Sequence, residues 1–129
     1  MRWMLPALLA ALISGTTHAA DRAEAEVTCL PTRDKLVYDC LVRLTNLQSK
    51  AAVAGAEVMV SADMPSMPMA HNVRPVSAAP IRGEPGVYGF RLHLEMQGEW
   101  ALKIGVNKPF RDLVVRVLEF GPTLVQPKR

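Results

Sequence analysis

Residues Asp63-Met64-Pro65-Ser66-Met67-Pro68-Met69-Ala70-His71 form the stretch whose side chains could do chemistry. Three of the five methionines that follow residue 20 fall inside it, and a histidine closes it. A thioether sulfur is a soft, neutral donor, better matched to Cu(I) than to zinc, magnesium or calcium. It needs no deprotonation, so a methionine site keeps affinity in mildly acidic surroundings where a thiolate site loses it. Met67, Met69 and His71 are spaced by two, so an extended chain would place them on one face, with neighbours roughly 6.5–7 Å apart. Met67 and His71 would then lie about twice that distance apart, too far for easy chelation. Either the loop bends, or a metal takes a donor from elsewhere, for which Met96 is the candidate. The expected metal set is Met64, Met67, Met69, His71 and Met96, and the expected ion is copper as Cu(I).

Plainer uses of the same residues compete with this one. Methionine fills irregular gaps, and a proline-broken loop over the end of a β-domain would use it as a lid. The exposed methionines would also make an adaptable protein-contact patch with no metal at all. His71 would serve either as a ligand or as a hydrogen-bonding cap of the loop. His93 alternates outward with Arg91 and Glu95 and reads as a surface histidine, and Trp100 reads as a core aromatic.

The elements that must position the loop are strands, because apolar residues recur at every second position. Ala25, Val27 and Cys29 alternate with Glu24, Glu26 and Thr28. After a turn at Pro31–Asp34, Leu36, Tyr38, Cys40, Val42 and Leu44 share one face. Asn46–Lys50 is a polar loop, and Ala56, Val58, Val60 and Ala62 make a third strand. Pro65 and Pro68 remove ladder donors, which bars Asp63–Asn72 from a central strand. Val73–Ile81, with Pro75 and Pro80, suits an edge strand, and Arg82–Gly86 is a turn. Tyr88, Phe90, Leu92, Leu94 and Met96, then Trp100, Leu102, Ile104 and Val106, read as a hairpin with one buried face. If the strands run up and down here, Met96 returns to the end that holds the methionine loop. Leu113–Phe120 is the last strand, and the tail from Gly121 is expected to fray. About seven short strands with turns between them predict an all-β, antiparallel immunoglobulin-like β-sandwich.

Cys29 and Cys40 both fall on the apolar faces of adjacent strands, in register for a bridge. Their spacing fits neither C-x-x-C nor a zinc pattern, so a structural disulfide is favoured over a thiolate site. Before them, Arg2, the apolar run Met4–Ile13 and the small residues up to Ala20 have the layout of a secretory signal peptide cut after Ala19. Residues 1–19 are therefore expected to be a leader and 20–129 the β-domain. The apolar run is about half the ~20 residues needed to span a bilayer, so no stable membrane anchor is expected. The oxidising compartment implied by export also suits the disulfide.

The formal charge is +3, and Arg2 is the one charged residue in the leader, leaving 3 − 1 = +2 on the domain. Its basic residues form no stripe, which argues against a nucleic-acid partner. No nucleophile elbow, phosphate-binding glycine loop or H-E-x-x-H is present, so an enzyme is not expected.

The stretch Asp63–His71, followed by Pro85-Gly86-Val87-Tyr88 and then by Met96-Gln97-Gly98-Glu99-Trp100, resembles the YtkA-like and FixH-like proteins. The similarity covers roughly Val53 to Val106. It implies an exported or membrane-anchored immunoglobulin-like sandwich. It also implies a part in copper supply to respiratory oxidases beside a copper-pumping ATPase, or a place near heavy-metal efflux components. Met64, Met67, Met69 and His71 occupy the motif positions that would supply ligands. A cleaved leader is closer to a free periplasmic YtkA-like domain than to an anchored FixH-like one. The expected role is a periplasmic copper-binding accessory protein, with an efflux or oxidase-assembly component as partner.

Overall fold

The computed structural model describes residues 20–128. The expected signal peptide, residues 1–19, lies outside them. Among the described residues eight strands follow one another: β1 (Ala23–Pro31), β2 (Val37–Asn46), β3 (Glu57–Asp63), β4 (Asn72–Pro80), β5 (Val87–His93), β6 (Gly98–Lys108), β7 (Asp112–Phe120) and β8 (Val125–Pro127). All pairings are antiparallel, in the order β1-β2-β5-β4-β3-β6-β7-β8. Among the described residues no helix is long and apolar enough to cross a membrane.

The alternation seen in the sequence becomes the inside and outside of a sandwich. Along β1 the residues Ala23, Ala25, Val27 and Cys29 are buried and those between them exposed. Val42, Leu44, Val60, Leu92, Trp100, Leu102 and Ile104 form the fully enclosed centre. Strands β1-β2-β5 lie in one layer and β3-β6-β7-β8 in the other, with β4 pairing to both, an antiparallel immunoglobulin-like arrangement. Cys29 lies opposite Cys40 in the β1–β2 ladder, and the two form the expected disulfide with an S–S distance of 2.03 Å. It ties neighbouring strands of one layer together and does not cross the core.

Several expectations change. Strands β5 and β6 are not a hairpin. β5 pairs with β2 and β4, whereas β6 pairs with β3 and β7. Their apolar faces meet across the core, so the link from Leu94 to Gln97 passes between layers. Gly98, at φ +130°, starts the second strand in a conformation that side chains rarely tolerate.

β4 is also not an edge. It pairs with β3 over most of its length and with β5 at Ala79 and Pro80, so it joins the two layers. Pro75 fits because it lies in a bulge: Val60 pairs with Val76 but Ala62 with Val73, leaving Arg74 and Pro75 opposite Ser61. Leu36 leaves the predicted face and adopts φ +62° in the turn before β2. The tail does not simply fray, since β8 adds to β7 through Leu118, Glu119 and Phe120 and makes the strands eight instead of seven.

The open seam between β1 and β7 is closed by side chains. Asp112 Oδ2 accepts from the Ala23 amide at 2.8 Å, and Arg116 Nε donates to the Ala25 carbonyl at 2.9 Å. Burial pushes the Asp112 carboxyl up, but the amides of Ala23 and Leu113 and the Arg22 guanidinium outweigh it and hold the group below the usual carboxylate range.

Candidate functional site

The methionine stretch is the loop between β3 and β4, and it is bent. The Met64 amide donates to the His71 carbonyl at 3.3 Å, closing the base of the loop as a continuation of the β3–β4 ladder. Inside it, the Met67 amide donates to Met64 O at 2.9 Å, and the amides of Ala70 and His71 both donate to Met67 O at 3.2 Å. The bond from His71 to Met67 closes an α-turn, the unit that brings residues four apart onto one side of the chain. Proline at 65 and 68 suits this, because neither position is asked for an amide donor. At the loop's entrance Asp63 is held by Lys103 Nζ at 2.7 Å.

The methionines divide by exposure. Met64 is 4% exposed and belongs to the core cluster, whereas Met67 is 39%, Met69 93% and Met96 39% exposed. Met64 forms the floor, its methyl carbon lying 3.2 Å from where a Cβ on Gly98 would stand.

The turn after β5 comes back to this same end of the sandwich, as the up-and-down expectation requires. The Leu94 amide donates to Leu36 O at 2.9 Å, and the Trp100 indole donates to Met96 O at 3.1 Å. These two bonds anchor the turn on either side of Glu95, whose carboxylate contacts Nδ1 of His71. The two loops therefore meet twice, through Met64 and Gly98 and through His71 and Glu95.

Glu95 is the residue that sequence reasoning missed. Its signal was weak: it follows an outward-facing pattern and stands beside Met96, and nothing local says that it faces His71. His93 is exposed and Trp100 is fully buried, as expected. Among the described residues no group of three or more His, Cys, Asp or Glu is arranged to hold a metal ion. A groove of about 670 Å³ lies elsewhere, along the β1–β7 seam between Glu24, Glu26, Arg43, Val115, Arg116 and Lys128. Its mixed charges and lack of convergent reactive groups make it a gap between strand edges.

Residues 20–105 match the YtkA-like family. The chain belongs to the YtkA-like family. The match takes in β1 to β5 and most of β6, hence the disulfide and both loops, and reaches further toward the N-terminus than the motifs alone. No curated protein and no solved structure matches this YtkA-like domain.

Nδ1 of His71 is engaged by Glu95, which leaves Nε2 as its other ring nitrogen. Should a metal ion bind at this end, the imidazole of His71 and the thioethers of Met67 and Met69 are the side chains that could hold it, and such donors suit a soft ion such as Cu(I).

Proposed function

We propose that this YtkA-like domain is a periplasmic copper-handling accessory protein. It takes up Cu(I) on the loop that carries Met67, Met69 and His71, with Met96 as a neighbouring donor. The observation that supports this reading is the α-turn closed by His71 N and Met67 O, which bends the loop where an extended chain would keep Met67 and His71 far apart. The exposure of Met69 supports transfer, because an incoming ligand from a partner can approach the ion before the outgoing ligands leave. A copper efflux or oxidase-assembly component is the partner such a carrier would serve. Binding and hand-over require no bond-making catalysis, so the domain acts as a carrier and not as an enzyme.

A metal-free contact module is the second function, favoured by the 93% exposure of Met69, an apolar side chain with little to cover it. An anaerobic Cu(I) competition titration against a calibrated chelator separates the two. Stoichiometric uptake that persists in mildly acidic buffer supports the copper carrier. No uptake by folded, disulfide-intact protein rejects it in favour of the contact module.

A further inference from the structure

Resting on the copper-handling function proposed above, we infer that Glu95 is a positioning residue for His71, holding the imidazole as its Nδ1–H tautomer so that Nε2 is the metal donor. An ionised carboxylate can only accept a hydrogen bond. The ring nitrogen that faces Glu95 must therefore carry the proton, and in the neutral ring the lone pair is left on the other nitrogen. A neutral imidazole in water without such a partner favours the opposite form, with the proton on Nε2. Carboxylates behind metal-binding histidines do this widely: they set the tautomer, orient the ring and raise its basicity.

The backbone on both sides is already fixed. His71 is tied at its amide to Met67 O and at its carbonyl to Met64 N. Glu95 stands between Leu94, bonded to Leu36, and Met96, bonded to the Trp100 indole. Neither segment has to be ordered when a ligand arrives, which is how a supporting carboxylate limits the cost of binding. A purely structural role is weakly supported. The side chains are 29% and 56% exposed, and ion pairs that open to water add little to stability.

The test begins on purified protein without metal, in buffer alkaline enough that ordinary histidines are neutral. Long-range ¹H–¹⁵N correlations of the imidazole read the tautomer directly. Wild type is expected to show Nδ1–H at His71, Glu95→Ala to show Nε2–H, and Glu95→Gln, whose carbonyl still accepts, to restore Nδ1–H. Cu(I) affinity should fall about 10–100-fold in Glu95→Ala and recover in Glu95→Gln, while thermal stability barely changes. An Nε2–H form in wild type, or an unchanged Cu(I) affinity in Glu95→Ala, overturns the inference. If wild type takes up no Cu(I), the carrier function fails and the ligand role of His71 fails with it. The metal-free tautomer then tells that failure apart from a failure of the His71–Glu95 contact itself.

Discussion

Met64 lies against Gly98: a Cβ on that glycine would stand 3.2 Å from the Met64 methyl carbon. Through this contact the buried side chain that begins the methionine loop supports the start of β6. Gly98 also holds φ +130°, so Gly98→Ala meets a backbone penalty and a tight contact together. We expect a loss of about 1–3 kcal/mol in denaturant unfolding. Met64→Ala should cost about 2–5 kcal/mol and Met64→Leu less than about 1.5 kcal/mol. A Met64→Ala variant as stable as wild type would contradict its role as the floor.

The exposed methionines should behave in the opposite way. Met67→Leu combined with Met69→Leu keeps side-chain volume and removes only the sulfur donors, so unfolding should shift by less than about 1 kcal/mol. Cu(I) uptake should be abolished in the competition titration. An affinity equal to wild type would refute the assignment of these two residues.

The disulfide offers a test of stability without chemistry at the loop. Cys29 and Cys40 are 11 residues apart, and a closed loop of that size contributes about 2–3 kcal/mol by restricting the unfolded chain. Replacing both cysteines by alanine should lower stability by about that amount, with Cu(I) binding retained in the folded fraction. Loss of copper binding in a variant that remains folded would show that the pair does more than hold β1 to β2.

Acid should weaken the β1–β7 seam through Asp112. Its carboxyl titrates below the usual range in the folded protein, so the unfolded chain binds more protons as pH drops past about 4. The stabilisation is fully present above the unfolded value and is lost as pH falls through the folded one. Asp112→Asn should cost ~1–2 kcal/mol at neutral pH and flatten the fall in stability below about pH 4. Urea midpoints measured across that range would check it, and parallel profiles for the two proteins would count against the seam.

The strands, their buried faces and the disulfide were legible in the chain because a strand's side chains alternate with period two. That period put Val27 and Cys29 on one side of β1, and Cys40, Val42 and Leu44 on the matching side of β2, before any partner was known. Pro65 and Pro68 likewise marked the methionine loop as an interruption of the ladder, since neither can donate to it. The same period says which face is buried, not which strand lies alongside. Tyr88–Leu92 and Trp100–Ile104 look alike whether they pair in one sheet or face each other across a core, and the structure sets them in different layers. The switch of β4 between layers, the addition of β8 and the contact of Glu95 with His71 were decided at the same level. Each depends on groups brought together by long-range packing, and no local pattern of residue types encodes which distant backbone or side chain will be the neighbour.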